Sequence, residues 1–105
     1  MSNDETEKEE KSFLLKYSTS FKKDLKVISN NTQKLQKTVE VLGMLQECGV
    51  EGIPRKMKPH KLIGQYKGAL ECHIEPDLLI IWEEYLHERE ISLLRLGSHS
   101  ELFKK

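Results

Sequence analysis

The chain has 105 residues, enough for one core and too few for a second domain of ordinary size. Its 17 basic and 17 acidic side chains cancel, but residues 1–11 hold five acidic against two basic, which leaves the rest mildly basic and hints at a polyanionic partner. Two cysteines, Cys48 and Cys72, are too few and too far apart for a zinc motif or a disulfide framework. No apolar run approaches the roughly 20 residues of a membrane span, and the polar, acidic start does not read as a signal peptide, so a reducing cytoplasm is the expected setting.

Residues 1–11 have no apolar side chain after Met1 and are expected to be a disordered extension, with one domain over residues 12–105. Phe13, Leu14, Leu15 and Tyr17 mark a first strand within residues 12–17. Ser18, Thr19 and Ser20 offer N-caps. Phe21, Leu25 and Ile28 then form the apolar stripe of a short helix, broken at Asn30-Asn31. Thr32 is expected to cap a second helix with Leu35, Val39, Leu42 and Leu45 on one face, closed by Gly49.

Residues 50–68 read as a long loop. Between Gly52 and Leu70 there is no acidic residue, whereas Arg55, Lys56, Lys58, Lys61 and Lys67 fall there with His60 and Tyr66. That unbalanced charge suits contacts to a phosphate backbone.

Three strands follow. Residues 69–74 alternate, which puts Leu70, Cys72 and Ile74 toward a core and Glu71 and His73 together on the other, exposed face. Pro76 suits a turn, and Asp77 follows it, close to His73 if the hairpin is tight. Residues 78–82 are continuously apolar and so read as a central strand. Residues 91–96 form the last strand. Ser98 with Glu101 makes a capping box that starts a helical turn at His99, where free N–H groups attract phosphate. The fold class is α+β: strand, helix, helix, then a three-stranded antiparallel meander, with the helices on one sheet face and the other face partly open.

His60, His73 and His99 come from three elements that a meander brings together, with Asp77, Glu71 and Arg95 beside them and Phe103 placed to stack on a base. Metal-free RNA cleavage uses such groups: a base for the 2′-OH, an acid for the leaving 5′-oxygen and cations for the charged phosphorane. Histidine suits both proton roles. A zinc site from two histidines and an aspartate is the rival reading, and it lacks a recognisable ligand spacing.

Three ordered segments carry a resemblance. They are Gly64-Gln65-Tyr66-Lys67-Gly68, Glu71-Cys72-His73-Ile74-Glu75-Pro76-Asp77, and the run Leu93-Leu94-Arg95-Leu96-Gly97-Ser98-His99-Ser100-Glu101-Leu102-Phe103. With them the chain, over residues 14–103, resembles the RelE/ParE superfamily of bacterial toxins, in its YafQ-like branch. The resemblance implies a RelE-like microbial RNase fold. It also implies a type II toxin–antitoxin toxin that cleaves mRNA without a cofactor, commonly on the ribosome. A cognate antitoxin would silence it in a hetero-oligomeric complex that binds DNA through the antitoxin. Catalytic positions carry over onto His60, His73, Asp77 and His99, with Phe103 contacting RNA and Glu71 and Arg95 in support. The branch places tryptophan after the motif's aspartate, where this chain has Leu78. His99 is expected to be the neutral base, with His73 and Asp77 supplying the acid and its orientation and His60 closing the site. The alternative is a catalytically weak homologue that acts by binding an antitoxin or a gyrase-type target.

Overall fold

The computed structural model describes residues 12–103. Strand β1 (Leu14–Tyr17) leads into helix α1 (Thr19–Ile28), and a short break joins it to α2 (Thr32–Cys48). A run of 3-10 turns follows, with the two-residue strand β2 (His60–Lys61) among them. Strands β3 (Leu70–Glu75), β4 (Leu78–Tyr85) and β5 (Glu90–Gly97) make the meander, and the single turn α3 (His99–Leu102) closes the chain. The five strands lie in the order β1-β5-β4-β3-β2. Among the described residues β1 and β5 pair in parallel and the other neighbours pair antiparallel; the long stretch of chain between β1 and β5 supplies the connection that a parallel pair needs. The expected disorder of residues 1–11 lies outside the described residues. Among the described residues no helix is long and apolar enough to cross a membrane.

The first helix forms as its sequence implies. The Ser18 hydroxyl accepts from the Phe21 N–H at 3.0 Å and donates to the Leu94 carbonyl at 3.1 Å, so one side chain caps α1 and pins it to β5. Phe21 and Ile28 are buried, with Leu25 against the same core. The second helix differs in two respects. Asn31, not Thr32, caps it, with Oδ1 accepting from the Lys34 N–H at 3.0 Å. Its buried face is Thr38, Val41, Leu42 and Leu45, while Val39 is 57% exposed. A threonine can occupy that face because its hydroxyl donates to the Lys34 carbonyl at 2.8 Å and leaves no orphaned polar group.

The main core lies between these helices and one sheet face. Trp82, Ile80, Cys72, Leu93 and Ile91 of the sheet meet Phe21, Val41 and Leu45. Each such apolar side chain is worth about 1.5–3 kcal/mol of burial. Glu84 ties the layers together: Oε1 accepts from the indole N–H of Trp82 and from the Val50 N–H, both at 3.0 Å.

The other sheet face, expected to be partly open, carries apolar packing of its own. Ala69, Leu79, Ile81 and Leu102 form a second apolar cluster there, flanked by Leu62, Tyr66, Leu94 and Phe103. This explains the continuous apolar run of β4, whose two faces serve two cores. Nor is the stretch from Val50 to Gly68 a plain loop. It carries 3-10 turns at Gly49–Gly52, Arg55–Met57 and Gly64–Tyr66. Its β2 covers the free edge of β3, with His60 opposite Glu71, which removes an unpaired sheet edge.

Candidate active site

Register assembles the site on the face of the second cluster. Because paired residues share a face, His60, Glu71, Ile81 and Arg95 form one row across β2, β3, β4 and β5, and His73, Leu79 and Gly97 form the next. His99 lies two residues beyond Gly97. The candidate residues thus converge on one end of one face, in two groups.

The first group is built on β2 and β3. His60 Nε2 lies 3.2 Å from Glu71 Oε1, and His60 Nδ1 lies 2.7 Å from the Lys58 carbonyl oxygen. Lys58 adopts the left-handed conformation, φ 55° and ψ 53°, which turns that carbonyl onto the ring. Glu71 is only 4% exposed, so the expectation of an exposed carboxylate is corrected. It lies on the face of the second apolar cluster, with β2 paired beside it. Its Oε2 has no hydrogen-bond partner. His73, one row along, is half-buried and lines a groove of about 290 Å³ with Lys56, Met57, Lys58, Glu75 and Pro76. Beneath it, burial first and the neighbouring Glu71 charge second push the Cys72 thiol up to about 12.

The second group is built on the β3–β4 turn and α3. The capping box closes as its sequence implies: Ser98 Oγ accepts from the Glu101 N–H at 3.2 Å and Glu101 accepts from the Ser98 N–H at 2.9 Å. This fixes His99 as the first residue of the turn. Asp77 Oδ1 accepts from the His99 backbone N–H at 3.4 Å, so the contact the structure gives Asp77 is with His99 rather than with His73. The His99 ring lies 4.7 Å from the Phe103 ring, tilted by 34°. Phe103 meets Tyr66 edge-on at 5.7 Å. An imidazole and an aromatic face therefore border one shallow pocket, lined by His99, Ser100, Glu101 and Phe103.

Arg95 is held differently from expectation. Its Nε and Nη2 donate to Asp24 at 2.7 and 3.2 Å, and Asp24 also accepts from the Leu96 N–H at 2.9 Å. The hydrogen bond to Asp24 is the main cause that raises the guanidinium's proton affinity further, with the Asp24 charge and Tyr66 adding to it. Two of its donors are thus turned toward α1. Sequence reasoning missed Asp24. The available signal was its position between Phe21 and Ile28, on the side of α1 that faces β5.

Arg55, Lys56, Lys58, Lys61 and Lys67 are all exposed, and among the described residues none makes a salt bridge. Lys56 and Lys58 reach the groove of His73. Lys61 points to the face opposite His60. Among the described residues no three or more His, Cys, Asp or Glu side chains gather where they could hold a metal ion, so the donors present form pairs and not a closed four-ligand centre.

Comparison with known proteins finds relatives of the whole fold. The mRNA interferase toxin YafQ of Escherichia coli K12 is 28% identical over 89 residues, covering 85% of this chain and 94% of that protein. The E. coli YafQ in a crystal structure of the DinJ–YafQ toxin–antitoxin complex superposes with a TM-score of 0.75 at 26% identity, covering 88% of this chain and 98% of that one. A metal-bound toxin from Helicobacter pylori superposes with a TM-score of 0.73 at 38% identity, covering 87% and 99%. Residues 13–104 match the profile of the family described as "Bacterial toxin of type II toxin-antitoxin system, YafQ", and the chain belongs to that family.

Proposed function

We propose that this chain is the toxin of a type II toxin–antitoxin pair and an endoribonuclease, an mRNA interferase of the RelE/ParE superfamily. Relatives that carry the name mRNA interferase toxin support the activity. The DinJ–YafQ complexes support a cognate antitoxin as the silencing partner, in a hetero-oligomer that binds DNA through the antitoxin. mRNA, met on the ribosome in the bacterial cytoplasm, is the substrate.

The observation that carries the catalytic reading is the Asp77–His99–Phe103 assembly, an imidazole held at a rigid turn beside an aromatic face. In this reading a base of the RNA stacks on Phe103. His99 takes the proton of the 2′-OH, whose oxygen attacks the adjacent phosphorus. Asp77 orients the turn that holds His99. Across the face, His73 and His60 stand by the leaving 5′-oxygen, which departs with a proton from one of them. Lys56 and Lys58, with Arg95 in support, offset the charge of the phosphorane. Arg55, Lys61 and Lys67 extend the basic surface along the RNA backbone. The bonds balance: 2′-O–P forms, P–O5′ breaks, and the products are a 2′,3′-cyclic phosphate and a 5′-OH.

End-group analysis tests this. The purified toxin is incubated with mRNA in the presence of a chelator, with and without ribosomes. Fragments ending in 2′,3′-cyclic phosphate are expected. Fragments with 3′-OH and 5′-phosphate ends would contradict the reading.

A further inference from the structure

The ring of His60 lies between two groups that only accept hydrogen bonds. On one side is the Lys58 carbonyl, 2.7 Å from Nδ1. On the other is the Glu71 carboxylate, 3.2 Å from Nε2. A neutral imidazole has one N–H and could satisfy one of them. Glu71 is buried, and its Oε2 meets no donor. A carboxylate in that position needs a counter-charge, and among the described residues the only basic group in salt-bridge contact with it is His60. Lys58 reinforces the point: a non-glycine residue held at φ 55° is a strained conformation of the sort that persists where the surroundings require it, and here it aims a carbonyl at Nδ1.

We infer that His60 carries a proton on both ring nitrogens and is the general acid of the cleavage, with Glu71 as its positioning residue. The inference rests on the ribonuclease reading given above and assigns the proton donor that it left between two histidines. The Lys58 carbonyl is exposed, so the Nδ1 proton is the transferable one: it passes to the 5′-oxygen as the P–O5′ bond breaks. His60 is left as the neutral tautomer with its proton on Nε2, the form a buried Glu71 carboxylate holds. Glu71 is thereby committed to His60 and does not act as the base. That task stays with His99, on the far side of the face.

A leaving-group test separates an acid from any other role. A thiolate departs without needing a proton, so an RNA whose scissile 5′-oxygen is replaced by sulfur bypasses the acid. The full chain and its His60→Ala and Glu71→Gln variants are compared on the oxygen and sulfur substrates. His60→Ala is expected to lose about 10²–10⁴-fold on oxygen and less than about tenfold on sulfur. Glu71→Gln should show the same pattern with smaller losses, and His99→Ala should lose on both. Equal losses of His60→Ala on both substrates, or a Glu71→Gln variant unaffected on oxygen, overturn the inference. Because Glu71 is buried and its variant can fail to fold, the imidazole nitrogen NMR spectrum of the wild-type protein at neutral pH is the second measurement. Two protonated nitrogens on His60 are expected, and one bare nitrogen overturns the assignment. If the wild-type protein cleaves neither RNA, the ribonuclease reading has failed, and the NMR spectrum alone decides the proton count.

Discussion

Gly49→Ala is predicted to be among the most damaging substitutions outside the site. Gly49 ends α2 at φ 66° and ψ −151°, a region that is essentially confined to glycine and costs another residue about 1–3 kcal/mol. A Cβ there would also lie 2.6 Å from Glu84 Oε2. That carboxylate is not free to move, because it accepts from Val50 and from the indole of fully buried Trp82. Displacing it leaves a buried indole N–H without a partner, worth about 1–3 kcal/mol. The total is about 2–6 kcal/mol, a large part of a typical domain's stability of about 5–15 kcal/mol. At about 4–8 °C per kcal/mol, the melting temperature should fall by roughly 10–50 °C. Urea unfolding at constant m-value measures it directly. Gly43→Ala is the control: it lies mid-helix with nothing within 4 Å of the added carbon, and should stabilise by about 0.5–1 kcal/mol. In a Glu84→Ala background, Gly49→Ala should cost only the backbone part. A Gly49→Ala protein within about 1 kcal/mol of wild type would refute the reasoning, as would an unchanged cost in the Glu84→Ala background.

Other outcomes follow from the same structure. Lys56→Ala with Lys58→Ala should weaken RNA binding and flatten its salt dependence by about one unit of log–log slope per lost phosphate contact; filter binding across a salt series reads it, and an unchanged slope means that these lysines do not touch phosphate. In the native protein at pH 8 a thiol reagent should modify exposed Cys48 and spare buried Cys72; fast labelling of both would show that the core opens easily. The Cys72 thiol, raised from 9.0 to about 12 by burial and then by Glu71, binds its proton more tightly folded than unfolded. Its contribution to stability is therefore intact below pH 9 and lost as pH rises toward 12, and unfolding free energies measured across that window in wild type and Cys72→Ala should converge.

Much of the architecture was legible because it depends on periodicity and capping. The Ser18 cap, the Phe21–Leu25–Ile28 stripe, the central strand and the Ser98–Glu101 box all stand as read. What sequence could not supply was partnership across elements. Val39 was assigned to the core and Thr38 was not, because a hydroxyl reads as polar until its acceptor, the Lys34 carbonyl, is seen. Glu71 reads as exposed by alternation alone; it is buried on the face that carries the second apolar cluster, where β2 pairs beside it, and no local pattern announces either. Arg95 read as available for phosphate because Asp24 lies 71 residues away in sequence. The candidate residues come from residue chemistry and family resemblance, and their separation into a Lys58–His60–Glu71 group and an Asp77–His99–Phe103 group comes from the fold.

The central claim is that this fold carries a ribonuclease whose base is His99. The most direct measurement is the single-turnover cleavage rate of the His99→Ala protein against wild type on the same RNA. Circular dichroism and antitoxin binding are followed in parallel to show that the fold is kept. The rate should fall about 10²–10⁴-fold, the usual worth of one acid–base group, with the spectrum and the antitoxin affinity unchanged. A folded His99→Ala protein that cleaves at the wild-type rate would contradict the account.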